Sequence, residues 1–161
     1  ARVKAMALIH EKLYQSKSLS VVNFYDYMED LIKNLNGSYS LNTDKIKMHI
    51  DIDPEYRLLN IDSAIPCGLI LNELLSNSYK YAFPNNNQGN IYVKMGLSSR
   101  NDKNIRIEFS DDGVGIPKDF NIKTTTTLGL QLVSMLAQQI DATLSLERTK
   151  GTHYTIEFSI N

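Results

Sequence analysis

The sequence predicts an α+β fold, a mixed sheet with helices on one of its faces. Three observations predict it. Segments whose apolar residues recur at three- and four-residue steps are interleaved with segments that alternate apolar and polar residues. The second half carries two pairs of strand-like segments joined by short turns, the pattern of antiparallel hairpins. No internal repeat is present, and no apolar run approaches the roughly 20 residues of a membrane-spanning helix.

Each element has its own local reason. Over 2–16 the residues Val3, Met6, Ile9 and Leu13 form one stripe of an amphipathic helix, followed by a polar break at Lys17-Ser18. Asn23 is a cap for a second helix, with Asp26 three residues on and the stripe Phe24, Met28, Leu31 and Leu35. Asn36-Gly37 closes it. Ile46, Met48 and Ile50 alternate with Lys47, His49 and Asp51 in a half-buried strand over 45–51, and 56–60 adds a short extended piece. A long helix starts at Asp62 or Ser63 and runs to about Ala82, with Pro66 in its first turn and Phe83-Pro84 as its stop. Strands follow over 90–98 and 104–109, then a glycine- and threonine-rich irregular stretch over 111–127. A helix over 128–140 and strands over 142–148 and 153–160, turning at Lys150-Gly151, complete the chain.

Composition narrows the function classes. The 161 residues are 42% hydrophobic and 22% charged, enough for one packed domain with a short helical extension. A net charge of −1 argues against a nucleic-acid or anionic-membrane surface, which needs a basic excess. Cys67 is the only cysteine, so neither an internal disulfide nor a cysteine zinc site can form. His10, His49 and His153 lack metal-ligand spacing. No signal peptide is visible, and a reducing, cytoplasmic setting is expected for the domain. The chain opens at Ala1 inside a helical pattern, as a piece of something longer would.

Four elements carry chemistry. On the long helix Glu73 and Asn77 are four residues apart and Lys80 three further, so all three share one face. A polar solvent face would look the same. A carboxylate, an amide and a lysine are also what magnesium and phosphates require, since magnesium takes hard oxygens and lysine offers a point charge. After the strand over 104–109 comes Asp111-Asp112-Gly113-Val114-Gly115-Ile116-Pro117. Its glycines admit a flat ligand, and Asp111 can accept from an exocyclic amine such as adenine's, although an acidic turn would read alike. Leu128-Gly129-Leu130 opens a helix, where free backbone amides bind phosphate. Gly151-Thr152 sits between two strands and reads equally well as a hairpin turn.

Order and spacing join these signals. Together they resemble the N box, G1 box, G2 box and terminal glycine-threonine of the Bergerat ATP-binding fold, shared by gyrase, Hsp90, MutL and histidine kinases. The run from Ala64-Ile65-Pro66 to Phe83-Pro84, and Leu128-Gly129-Leu130-Gln131-Leu132-Val133, resemble the histidine-kinase branch in particular. The resemblance spans nearly the whole chain. It implies a two-layer α/β sandwich with a mainly antiparallel sheet over 37–161, preceded over 1–36 by a remnant of the dimerisation and phosphoacceptor helices. It further implies Mg-ATP as substrate. Asn77 would be the magnesium ligand, Glu73 an acid or base near the γ-phosphate, and Lys80 a neutraliser of phosphate charge. Asp111 would hold the adenine amino group. Gly113 and Gly115 would line the purine, with Ile116 in the same nucleotide-binding set. Gly129 and Leu130 would close the lid end over the phosphates, with Leu128 in the same nucleotide-binding set, and Thr152 would sit near the adenine-side network. The sequence departs from the pattern at Thr127, where a first G2 glycine is usual, and at Asp141-Ala142, where a glycine pair is frequent.

The resemblance also implies an acceptor histidine upstream of Arg2. His10 matches the helix that follows the acceptor helix, so it is not expected to carry phosphate. The expected function is transfer of the γ-phosphoryl of ATP to that upstream histidine, and from there to a response-regulator receiver domain. The full-length protein would be a homodimer, membrane-anchored or not. A serine kinase of the anti-sigma type, an ATPase, or a non-catalytic ATP-binding module are the alternatives on the same fold.

Overall fold

The computed structural model describes residues 2–15, 20–38, 45–84, 88–98, 103–115, 128–147 and 151–159. Helix α1 spans Arg2–Gln15 and helix α2 Phe24–Ser38, with the short strand β1 (Val21–Asn23) between them. Strand β2 (Ile46–Ile52), a 3-10 turn (Pro54–Tyr56) and strand β3 (Leu58–Asn60) lead into helix α3 (Ile61–Asn77). Strands β4 (Gly89–Leu97) and β5 (Asn104–Asp111), helix α4 (Leu128–Gln139) and strands β6 (Thr143–Glu147) and β7 (Thr152–Ser159) follow.

Five strands form one sheet in the order β2-β4-β5-β7-β6. Among the described residues of this sheet, only β2 and β4 pair in parallel. The connection between them therefore has to cross a sheet face, and α3 lies in it. Period-two alternation sends Ile91, Val93 and Met95 of β4, Ile105, Ile107 and Phe109 of β5, and Tyr154, Ile156 and Phe158 of β7 to one buried face. Those residues join the apolar side chains of the helices in a single core. The expected two-layer α+β arrangement is what the chain adopts.

Several elements depart from expectation for identifiable reasons. Helix α1 turns Ala5 and Ile9 inward and leaves Val3 82% exposed, so the buried stripe is rotated from the predicted one. The small Ala5 allows the close approach: the Tyr27 hydroxyl of α2 donates to the Ala5 carbonyl at 3.4 Å. Helix α2 begins as predicted, with Asn23 Oδ1 accepting from the Asp26 amide at 3.1 Å, but continues through Gly37 to Ser38. Helix α3 starts earlier than predicted because Asn60 caps it, its side chain accepting from the Asp62 amide at 2.9 Å. Pro66 is thereby placed in the second turn, where its missing N–H forgoes the helical bond to the Asp62 carbonyl.

The small sheet β1-β3, antiparallel with Val22 opposite Leu59, was not legible as a pair. It ties α1 and α2 to the rest, as do the Ile61 amide bonded to the Ser20 carbonyl at 2.8 Å and the Tyr79 hydroxyl bonded to Asn36 Oδ1 at 2.5 Å. These contacts cross the expected division at 36/37.

At the end of α4 the Ala142 amide bonds back to the Ala137 carbonyl and the Asp141 amide to the Gln138 carbonyl, a Schellman closure. Asp141 sits at φ +52 there, the left-handed position a glycine would fill at less cost. Aspartate is among the few other residues that tolerate it.

Candidate functional site

A cavity of about 470 Å³ opens between the end of α3, the ends of β5 and β7, and the start of α4. Its lining includes Glu73, Asn77 and Lys80, Asp111, Gly115, Leu128, Gly129 and Leu130, and Thr152. Residues predicted from four separate stretches are thus gathered around one space. Gly113 is not part of the lining, and Ile116 and Thr127 lie outside the described residues.

Helix α3 supplies the first group. Its α-helical pitch ends at Asn77, and Ser78–Ala82 continue as a π turn. Such a turn carries more residues per revolution than an α-helix and is a recurrent feature of functional sites. Here it brings Ser78, Lys80, Tyr81 and Ala82 to the same cavity as Asn77. The polar side of α3 is not simply a solvent face, although Asn77 is half-buried and Lys80 beyond it is exposed. Glu73 is only 6% exposed, and Asn72 and Ser76 are buried too.

Strand β5 supplies the second group. Asp111 shares the buried phase of Ile105, Ile107 and Phe109, so alternation aims a carboxylate into the helical layer. It accepts from the Ser78 hydroxyl at 2.7 Å and from the Gly113 amide at 3.1 Å. Thr152, its direct partner across β5 and β7, contributes a third bond through its backbone amide. Burial pushes the Asp111 carboxyl above its ordinary range, although those three donors pull the other way. Burial likewise pushes the neighbouring Tyr154 phenol up, with the Asp111 charge adding to the effect.

The glycines explain how the rim is built. A Cβ at Gly113 would fall inside contact distance of the Ala82 carbonyl oxygen and 2.6 Å from the Ala82 Cβ. The Val114 amide also bonds that carbonyl, at 2.9 Å. Gly113 is therefore demanded by the π turn that continues α3, which accounts for it without a ligand. Gly115 has φ +79 and approaches the Gly151 backbone, which itself sits at φ +69 against Asp111. The two glycine turns interlock behind the carboxylate.

At the opposite end Glu73 meets two other elements. Arg2 of α1 grips it in a two-pronged ion pair, Nε to Oε1 and Nη2 to Oε2, the latter at 3.3 Å. Gly129, in the first turn of α4, passes so close that a Cβ there would lie 2.7 Å from Glu73 Oε2.

Sequence reasoning did not find Arg2, Ser78 or Tyr154. Tyr154 was within reach, since it shares the strand phase of Thr152. Arg2 is 71 positions from Glu73 and nothing local marks it. His10 is exposed on α1, eight residues from Arg2 or about 12 Å along the helix, and is not part of the lining. Among the described residues no group of three or more histidine, cysteine or acidic side chains forms a metal cluster. None of the helices is long and apolar enough to cross a membrane, among the same residues.

Comparison with known proteins places this geometry. The family described as histidine kinase-, DNA gyrase B- and HSP90-like ATPase matches residues 63–161, and a histidine kinase family matches residues 1–39. The sensor histidine kinase PdtaS of Mycobacterium tuberculosis is 24% identical over 163 residues, covering 99% of this chain and 31% of the relative. Blue-light-activated histidine kinase 2 of Erythrobacter litoralis is 22% identical over 168 residues, covering 99% of this chain and 46% of that protein. The chain thus spans less than half the length of these relatives. Among solved structures, the histidine kinase domain of a blue-light-activated kinase from Erythrobacter litoralis superposes with a TM-score of 0.84 at 23% identity. That match covers 99% of this chain and 73% of the other. The Acinetobacter baumannii histidine kinase AdeS follows the same fold at a TM-score of 0.70, with 20% identity over 99% of this chain and 77% of that one.

Proposed function

This chain belongs to the histidine kinase-, DNA gyrase B- and HSP90-like ATPase family, as the ATP-binding catalytic domain of a two-component histidine kinase, and from that premise we propose how its cavity holds ATP and what it does with it. Adenine lies at the Asp111 end. Its exocyclic amine donates to the carboxylate, whose remaining capacity is used by Ser78, Gly113 and Thr152. The phosphates lie toward α4, whose first-turn amides at Leu128, Gly129 and Leu130 have no intrahelical partner and carry the positive end of the helix dipole. Lys80, exposed at the cavity rim, adds a mobile positive charge.

The observation that carries this reading is the pairing of two unlike ends in one cavity: a buried, triply hydrogen-bonded carboxylate and a helix N-terminus. The donor set fits magnesium of the kind that accompanies nucleotides. The amide oxygen of Asn77 is a hard ligand, and magnesium ordinarily completes its shell with waters and phosphate oxygens, so no acidic cluster is needed. When bound, the ion supplies neutralisation of phosphate charge. The protein's share of phosphoryl transfer is then to position the triphosphate and stabilise charge, with Glu73 at the γ-phosphate end. The acceptor is a histidine of the longer protein, and a response-regulator receiver domain takes the phosphoryl group from it. The longer protein acts as a homodimer paired through the helices of which α1 and α2 are part.

Isothermal calorimetry tests this. The chain binds a non-hydrolysable ATP analogue, and magnesium strengthens that binding. Asn77→Ala abolishes the magnesium-dependent increment and leaves metal-free purine binding in place. No heat at millimolar nucleotide would sink the reading.

A further inference from the structure

Arg2 and Glu73 form an ion pair that has no part in the fold of the sheet. The two residues lie on different elements, α1 and α3, and both face the cavity at the end assigned to the phosphates. Glu73 is nearly buried, with 7% of its side chain exposed, whereas 47% of the Arg2 side chain remains open to solvent. A carboxylate in that setting requires a counter-charge, because an uncompensated buried charge is costly. Arg2 supplies it in the bidentate form that fixes orientation as well as charge. Helix α4 leaves room for the pair: the Cβ that Gly129 lacks would lie 2.7 Å from Glu73 Oε2 and 3.6 Å from Arg2 Nη2. Three elements therefore converge on one carboxylate.

We propose that Arg2 is a positioning residue for nucleotide binding, through which α1 neutralises and orients Glu73 so that the triphosphate can approach the start of α4. The inference rests on the nucleotide reading of the cavity and deepens it. Without Arg2, Glu73 presents an unbalanced negative charge beside the site where the polyphosphate must lie, and repulsion grows with each added phosphate. The effect therefore depends on phosphate number. A purely structural role in docking α1 would weaken all nucleotides alike. Because α1 belongs to the segment matched by the histidine kinase family over residues 1–39, the same contact makes triphosphate affinity depend on where that helix sits.

The test is an affinity series for AMP, ADP and a non-hydrolysable ATP analogue, measured by calorimetry on the chain and its variants. Arg2→Ala is expected to weaken ATP-analogue binding by about tenfold or more while AMP changes little. Arg2→Lys restores part of the loss, since it returns the charge without the fork. Adding Glu73→Gln to Arg2→Ala brings the ATP analogue back to within about threefold of the parent, as removal of the offending charge requires. Equal losses for AMP and ATP would reduce Arg2 to a structural contact and overturn the proposal. So would a loss that Glu73→Gln fails to relieve, which would mean that the guanidinium binds phosphate directly. An unaltered series would overturn it as well. In each of these cases the parent chain still binds the nucleotides. A parent chain that bound none of the three would instead bring down the nucleotide reading, and this inference with it.

Discussion

Replacing Asp111 by asparagine separates what this side chain does for the fold from what it does for a ligand. Three protein donors converge on it: the Ser78 hydroxyl at 2.7 Å, the Gly113 amide at 3.1 Å and the Thr152 amide. Asparagine keeps one acceptor oxygen and turns the other position into a donor. In place of Oδ1 the amide nitrogen would face the Gly113 N–H; in place of Oδ2 it faces the Ser78 hydroxyl, which can turn to accept, so the unrelieved mismatch falls on the purine amine. A hydrogen bond to an ionised acceptor contributes about 1.5–3 kcal/mol. Its loss corresponds to a roughly ten- to hundred-and-fifty-fold rise in Kd for ADP.

Stability should move in the opposite sense at neutral pH. In the folded chain the Asp111 carboxyl titrates above the ordinary aspartate value of 3.8, because burial disfavours its charge. The native chain therefore holds that proton more tightly than the unfolded chain, and the associated stability is fully present below about 3.8 and lost as pH rises through the folded value. Asp111→Asn removes this decline. Asp111→Ala, by contrast, strands all three donors, each at about 1–3 kcal/mol, and should melt several degrees lower. Calorimetric titration with ADP and thermal melts from pH 4 to 8 read both quantities. An Asp111→Asn chain that melts normally and binds ADP within about twofold of the parent would refute the assignment of adenine to this carboxylate.

Two further outcomes follow from packing. Gly113→Ala forces a methyl group onto the Ala82 backbone and should cost about 1–3 kcal/mol, read as a lower Tm, whereas Gly37→Ala in α2 meets nothing within 4 Å among the described residues and should stabilise by up to about 1 kcal/mol. Equal melting of the two variants would contradict the close approach of the glycine turn to α3. Cys67 is 1% exposed and burial pushes its thiol up to about 12, so a disulfide reagent at pH 8 should label the folded chain negligibly and take up one equivalent in denaturant. Fast labelling of the native chain would contradict the packing of α3.

Much of the fold could be read from local rules. The alternation of Ile105, Ile107 and Phe109 is enough to place Asp111 on the core side, and the spacing of Glu73, Asn77 and Lys80 puts them on one flank of a helix. Caps such as Asn23 announce themselves by residue type. Strand and helix periods depend on neighbours a few residues away, which is why a linear reading of the chain recovers them. What was not legible involves partners distant in sequence. The pairing of β1 with β3 rests on three-residue strands too short to show a period. The rotation of α1, which exposes Val3, follows from the Ala5–Tyr27 approach and not from the helix's own pattern.

The sequence by itself determined the family, the sheet-and-helix class, and the candidate ligands of the cavity, because each depends on residue type and short spacing. Only the tertiary structure decided that Glu73 is buried, that Gly113 answers to Ala82, and that Arg2 closes on Glu73. Burial and charge compensation are properties of which elements come to lie side by side. Two side chains 71 positions apart acquire a relation only when the chain has folded around them.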